Sequence, residues 1–315
     1  MNNSLIAQNT QIVRQIAAEL GFDFVGISVA DFLEEDAPLV EKWLKNKQHA
    51  QMQYMENYFD MRLDPRKLHE GTRSVISLMY NYFPTKKQLS NTYKISRYAY
   101  GEDYHFVIKK ILKEFVQKIE AKIGAISARY FVDSAPVLER AWAKKSGLGW
   151  QGKNTMLINP KAGSYYFLAE ILTDLPLLPD NPMHDYCGTC QRCIEACPTE
   201  ALTPYWLNAE KCISYATIEL KDQISEQVFG NKMENWIFGC DICQEVCPWN
   251  KFAKPHQQVA FEPDEKLIHM KNEDWELLTE TMFSVLFKKS AIKRTKYAGL
   301  KRNIAFIKKS PKDEK

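Results

Sequence analysis

Seven of the eight cysteines in this 315-residue chain fall into two short runs. Cys187, Cys190, Cys193 and Cys197, followed by Pro198, read C-x2-C-x2-C-x3-C-P. Cys240, Cys243 and Cys247, followed by Pro248, repeat the second half of that pattern. Spacings this short bring the thiolates of one loop onto a single inorganic centre. In this pattern the cysteine before proline leaves its own loop and ligates a neighbouring cubane. The expected ligand sets are therefore crossed: Cys187, Cys190, Cys193 and Cys247 around one [4Fe–4S] cluster, and Cys197, Cys240 and Cys243 around the other. Cys212, separated from Cys240 by 27 residues, is the one cysteine left and is the expected eighth ligand. No segment of such a chain can fold independently of where its thiols must meet.

Two other uses of cysteine fit less well. Disulfide frameworks belong to short secreted chains, whereas the polar stretch Met1 to Thr10 does not read as a signal peptide. Paired zinc sites normally supply two C-x2-C halves each, not three close cysteines and a C-P. A ferredoxin-like module implies one-electron transfer in a reducing, cytoplasmic setting. It leaves the destination of the electrons open, and a plain electron carrier remains one reading.

The length allows two domains, and a hydrophobic content of 45% supports a real core without any apolar run long enough to span a membrane. Charge is unevenly placed. Lys288 to Lys315 carries a balance of +9, and subtracting this from the chain's net +3 leaves −6 for residues 1–287. A basic end on an acidic body suggests a polyanionic partner. Within it, Lys293, Arg294, Lys301 and Arg302 alternate with Ile292, Tyr297, Leu300, Ile304 and Phe306, the pattern of an ordered basic surface. Lys308 to Lys315 reads as a solvated tail.

Apolar periodicity predicts a helix from a cap at Asn9 or Thr10 to Leu20, and others over Leu39–Met55, Phe106–Ile123 and Pro136–Lys145. Strands are expected at Phe22–Val29, Arg73–Tyr82, Ala128–Val132, Thr155–Ile158 and Tyr165–Leu172, with a hairpin signal at Asn159 to Gly163. The expected architecture is an α/β (α+β) sandwich over residues 1–174, a proline-rich linker at Leu175–Asn181, an inserted cluster module over 182–254 and a helical, basic segment over 255–315. Gly147, Gly149 and Gly152 spell G-x-G-x-x-G, but a helix precedes them and no strand feeds them, so a dinucleotide site is not indicated. Walker and HExxH motifs are missing.

Several blocks carry a resemblance. They are Arg97 to His105 (RYAYGEDYH), Asp133 to Arg140 (DSAPVLER), Gly147 to Asn154 (GLGWQGKN), Gly163 to Ile171 (GSYYFLAEI) and the cysteine module. In this order they resemble the epoxyqueuosine reductases, cobalamin-dependent iron–sulfur enzymes that complete queuosine in tRNA. The similarity is to a short form without the HEAT-like carboxy-terminal domain of many members. The resemblance implies a cobalamin-binding, catalytic first domain with base-off cobalamin. It implies conversion of an epoxide in the anticodon loop to an alkene, with electrons from an external donor passing through two clusters. Asp133 is the implied proton donor, and a helix cap is its plain structural alternative. Arg97, Tyr98, Tyr104, His105, Lys153, Asn154 and Ser164 are implied to line the corrin. Arg140 joins Lys293, Arg294, Lys301 and Arg302 as expected tRNA contacts. A corrinoid reductive dehalogenase is the rival enzyme reading, although those proteins generally carry a twin-arginine export signal and need no RNA face.

Overall fold

The computed structural model describes residues 3–309. Four strands form one antiparallel sheet: β1 (Phe24–Val29), β2 (Ser74–Asn81), β4 (Ala128–Phe131) and β7 (Tyr166–Thr173), in the order β1-β2-β7-β4. Their near-continuous apolar character follows from burial on both faces. Ile76, Leu78 and Tyr80 of β2 point to one side and join Val13 and Ile16 of the amino-terminal helix, and Ile108, Leu112 and Phe115 of the long helix. Val75 and Met79 point to the other side, where Trp142 and Ala143 of the short helix Glu139–Lys145 cover them. Ser77 and Glu170 stand opposite each other in the β2–β7 register, and strand alternation places them on this second face. Gly26 of β1 admits that helix's end: a Cβ there would come within 2.2 Å of the Ser146 carbonyl oxygen.

The element boundaries differ from the sequence expectation in instructive places. The first helix runs from Asn3 to Glu19, so Asn9 and Thr10 are buried inside it and do not cap it. The Thr10 hydroxyl donates to the Ile6 carbonyl (2.7 Å) and accepts from the Leu178 amide (2.9 Å), a tertiary use of a cap-type residue. The helix expected over Leu39–Met55 is Ala37–Lys45 followed by turns. The turn at Asn159–Gly163 forms, but β6 (Leu157–Ile158) pairs back with β5 (Trp150–Gln151) and not onward with β7. Leu175 to Asn181 is no loose linker. Leu175 and Leu177 are buried, and Asp180 takes Arg14 at 2.7 Å and the Ile27 amide at 2.9 Å.

The cluster module is woven into its neighbours. After the small hairpin β8 (Leu202–Thr203) and β9 (Trp206–Leu207), β10 (Trp236–Phe238) pairs in parallel with β3 (Lys94–Ile95) from the first half of the chain. The carboxy-terminal helix Lys296–Lys309 buries Leu300, Ile304 and Ile307, which share one core cluster with Trp236 and Ile237. Its Asn303, fully buried, donates to the Thr217 and Ile237 carbonyls at 2.9 and 2.8 Å. Lys308 and Lys309 are solvated as expected but close this helix as ordered residues, with Lys308 paired to Glu276 at 2.5 Å. The rest of that tail, residues 310–315, lies outside the described residues.

Candidate active site and the cysteine loops

β4 ends at Phe131, and the chain then turns sharply at Asp133, whose φ is +45°. A non-glycine residue in this region is uncommon and held only where its surroundings fix it. Asp133 caps no helix: the following helix begins at Glu139 with Leu138 in the cap position. The Asp133 amide instead donates to Glu139 Oε1 at 2.5 Å.

The Asp133 carboxylate is held from the first turn of the long helix Tyr104–Ile123. Asp103 caps that helix through the His105 amide (3.0 Å) and takes His105 Nδ1 at 2.7 Å. Tyr104 stacks on Phe167 of β7 at 4.2 Å, and its hydroxyl donates to Asp133 Oδ2. His105 Nε2 lies 3.7 Å from the same oxygen. Burial, then the Asp133 charge, pushes the Tyr104 phenol far above its ordinary range, so it remains a neutral donor. The acid is nonetheless reachable, with 55% of its side chain accessible.

Around it stand side chains that are accessible and yet crowded by the protein, as on a concave wall. Burial and then the Asp133 charge raise Glu139 to about 8. Burial pushes Glu170 well above the ordinary carboxylate range, with Glu139 and then Asp133 adding to it. Burial lowers Arg140, which donates to the Thr155 carbonyl at 2.6 Å. Arg140 is exposed by area and yet desolvated by the protein around it; both hold for a side chain on a deep concave wall. Tyr54, also exposed, is pushed up to about 12 by burial and then by Glu219, with Arg294 and Asp133 among its charged neighbours. Tyr98 shares Asp133, Arg294 and Glu219 as neighbours and packs between Tyr104 (6.1 Å) and Phe238 (6.1 Å).

Not all residues singled out in the sequence reach this cleft. Tyr98, Tyr104, His105, Asp133, Arg140 and Arg294 gather there. Lys153 instead reaches the Gly188 and Cys190 carbonyls (2.7 and 3.1 Å), and Asn154 the Cys243 carbonyl (3.2 Å). The Ser164 hydroxyl is bonded by Asn250 (3.0 Å) and Gln244 (3.1 Å). These three polar groups are engaged with the cysteine loops. Arg97 is likewise clamped, by Tyr165 (2.6 Å), Glu245 (2.5 Å) and, at its amide, Asp241 (2.9 Å).

Part of the basic segment is engaged within the protein in the same way. The Arg302 guanidinium donates to the Leu220, Asp222 and Ala216 carbonyls (2.6, 2.7 and 2.9 Å), and Lys301 to that of Glu276 (2.5 Å). Both tie the last helix down. Arg294 pairs with Glu219 at 2.7 Å at the cleft rim, and Lys293 is exposed beside it.

The thiols fall into two groups. Cys193 has Cys247, Cys187 and Cys190 as its thiol neighbours, and Cys247 has Cys187 and Cys190. Cys240 has Cys212 and Cys243, while Cys243 has Cys212, then Cys197 and more weakly Cys193. The first group lines a cavity of about 330 Å³ with Tyr186, Trp249 and Phe252. Amide and indole N–H groups already aim at sulfur: Trp150 Nε1 at Cys187 and the Ala201 amide at Cys197, each at 3.4 Å. Burial raises Cys187, Cys193, Cys212, Cys240, Cys243 and Cys247, as expected of thiols that ionise only when a metal centre supplies positive charge. All eight are free of disulfides. The second group stands directly behind the cleft wall, because Cys240 follows Phe238 and Gly239, against which Tyr98 packs.

Residues 186–250 match the 4Fe-4S double cluster binding domain, and residues 62–134 match the family model "Epoxyqueuosine reductase QueG, DUF1730". An epoxyqueuosine reductase of Leadbetterella byssophila is 60% identical over 94% of this chain and 97% of its own length. The chain belongs to the epoxyqueuosine reductase family. A crystal structure of an epoxyqueuosine reductase with an epoxyqueuosine-modified tRNA-Tyr stem loop superposes with a TM-score of 0.88 at 28% identity, covering 95% of this chain and 80% of that one. The catabolic reductive dehalogenase NpRdhA shares the fold alone, at 18% identity and a TM-score of 0.53, covering 38% of that chain. Among the described residues no helix is long and apolar enough to cross a membrane.

Sequence reasoning missed Glu139, Glu170, Tyr54, Asp103 and Glu219 as parts of this site. A signal existed for Glu170, an acid inside the otherwise apolar strand Tyr166–Thr173.

Proposed function

We propose that this chain reduces the epoxide of epoxyqueuosine in a tRNA anticodon loop to the alkene of queuosine. The observation that carries the proposal is the accessible Asp133 carboxylate, fixed by Tyr104 at the wall of an open cleft and backed by eight free thiols in two groups. On this reading Cys187, Cys190, Cys193 and Cys247 hold one [4Fe–4S] cluster, and Cys197, Cys212, Cys240 and Cys243 the other. Donor chemistry, grouping and the N–H groups aimed at sulfur all fit.

The cleft also fits a corrin. Its wall offers neutral phenols at Tyr98 and Tyr104 for amide side chains. Both nitrogens of the His105 ring face carboxylates, Asp103 and Asp133, so this ring is engaged within the site. When bound, cobalamin supplies a centre that holds an electron pair delivered singly by the clusters from an external donor. Asp133 protonates the departing epoxide oxygen. Tyr104 aims the Asp133 carboxyl, and Asp103 fixes the His105 ring beside it. Lys293, Arg294 and Arg140 are the cations placed to meet tRNA phosphates around a nucleoside turned out into the cleft.

Reconstituted protein with reductant and epoxyqueuosine-tRNA, followed by digestion to nucleosides, tests the activity. Asp133→Asn should keep cluster and cobalamin spectra and lose roughly 2–4 orders of magnitude in turnover. Wild-type turnover in that variant would remove Asp133 from the chemistry.

A further inference from the structure

A segment of the first domain, Trp150 to Asn154, reaches into both cysteine loops. Trp150 Nε1 donates to Cys187 Sγ at 3.4 Å, and the Lys153 amide faces the same sulfur. Asn154 Nδ2 donates to the Cys243 carbonyl at 3.2 Å. Lys153 lines the cavity of Cys187, Cys190, Cys193 and Cys247 itself, and its ammonium donates to the Gly188 and Cys190 carbonyls at 2.7 and 3.1 Å. Only 9% of this lysine is exposed. Both of its bonds go to backbone carbonyls, and among the described residues no carboxylate pairs with it. A buried cation normally has such a partner. Lys251, the other lysine lining the cavity, is exposed, with its ammonium over the Phe252 ring at 4.8 Å. Asp185 accepts the Cys187 amide at 2.7 Å and is also exposed, so water screens its charge. An uncancelled positive charge in the wall is matched by a centre that is itself negative, as four thiolates around a cluster are.

We propose that Lys153 is the fixed countercharge of the cluster held by Cys187, Cys190, Cys193 and Cys247, and that it raises the potential at which electrons enter the protein. The inference rests on the two-cluster reading above and is independent of the chemistry at Asp133. The cavity opens to solvent beside the exposed Tyr186 and Phe252, whereas the second group of thiols stands behind the cleft wall, so electrons enter at the first group. One electron arriving there from the external donor adds one unit of negative charge and breaks no bond. A cation fixed in the protein wall favours that reduced form, because little water lies between the charges to screen them. Hydrogen bonds to sulfur act in the same direction, and those of Trp150 and the Lys153 amide are already aimed. Lys153 thus lets a milder donor load the entry site.

The test is the midpoint potential of each cluster, followed by electron paramagnetic resonance during anaerobic reductive titration of the reconstituted protein. Cys212→Ala, which leaves the first cluster alone, assigns the signals. Lys153→Gln keeps a donor for the two carbonyls and removes the charge, whereas Lys153→Arg keeps the charge. In Lys153→Gln the reduced-to-oxidised ratio of the first cluster at a fixed potential should fall roughly tenfold, a downward shift of about 59 mV for one electron. The second cluster should stay near its wild-type potential. Lys153→Arg should recover most of the shift, and Lys251→Gln, which removes an exposed charge, should move the potential much less. Iron should remain at about eight per chain throughout. A wild-type potential in Lys153→Gln with full iron would overturn the assignment, as would equal shifts of both clusters or a Lys251→Gln shift as large as that of Lys153→Gln. Iron falling to about four in Lys153→Gln would make Lys153 a tie of the loop alone and overturn it as well. Wild-type protein that holds no pair of clusters would instead overturn the two-cluster reading.

Discussion

Single residues here carry chemistry through what holds them. On the proposed reading Asp133 is the acid, held in a strained turn by Tyr104, His105 and Glu139, and Tyr104 is a positioning residue. Tyr104→Phe should keep the stack on Phe167 and lower turnover about tenfold to a hundredfold, as expected for removing one hydrogen bond to a charged group. Nucleoside analysis of the product measures it, with cofactor spectra unchanged. Glu170 belongs to the stability ledger as well. Its native-state pKa is raised, so the fold must take up a proton that the unfolded chain releases above the ordinary carboxylate range. Its stability contribution is complete below that range and declines as pH rises toward the raised value. Glu170→Gln should therefore raise the thermal midpoint at about pH 8 and change it little at about pH 4. Thermal unfolding at the two pH values reads this directly.

At the scale of elements, segments that look peripheral in the chain prove to be fastenings. The carboxy-terminal helix is tied by Arg302 to three carbonyls around Ala216–Asp222, next to the helix Ile213–Ile218 that follows Cys212. Arg302→Ala should destabilise the fold by ~1–3 kcal/mol in denaturant unfolding while leaving the salt dependence of tRNA binding unchanged. A flattened salt slope in this variant would restore Arg302 to the RNA face. The cysteine loops make the complementary case. Cys212 lies on an insertion, yet stands among Cys197, Cys240 and Cys243. Cys212→Ala should reduce iron from about eight to about four per chain, leaving the spectrum of one cluster. Iron analysis after anaerobic reconstitution decides it.

For the whole molecule, the question is how an acidic body binds an acidic polymer. The balance of +9 after Phe287 makes this end of the chain positive, but part of that charge is already partnered, Arg302 and Lys301 by backbone carbonyls and the exposed Lys308 by Glu276. On the proposed reading the docking surface is smaller than the sequence count suggests and centres on Lys293 and Arg294, both exposed. Each phosphate contact to a single-stranded segment contributes a slope of roughly −0.7 in log affinity against log salt. Lys293→Ala together with Arg294→Ala should flatten the slope by about 1–1.5 and weaken stem-loop binding, with cluster spectra intact. An unchanged slope would place the RNA face elsewhere.

What could be read from the chain itself were features set by local spacing. Thiols three residues apart must share a centre, so the Cys187–Cys197 and Cys240–Cys247 runs declare a double-cluster module in any context, and residues 186–250 match one. Near-continuous apolar runs likewise mark the central strands, buried on both faces, and apolar periodicity marks the long helix, buried on one. The uses of polar side chains were not legible. Lys153, Asn154 and Ser164 look like free donors in sequence, and so do Lys301 and Arg302. Only the tertiary structure reveals the carbonyls and amides they satisfy, many of them about 35 to 90 residues away. The same holds for the acids. Glu139 and Glu170 are ordinary letters until the β2–β7 register and the helix behind it bury them beside Asp133. A carboxyl's proton affinity is set by what surrounds it, and its surroundings exist only in three dimensions.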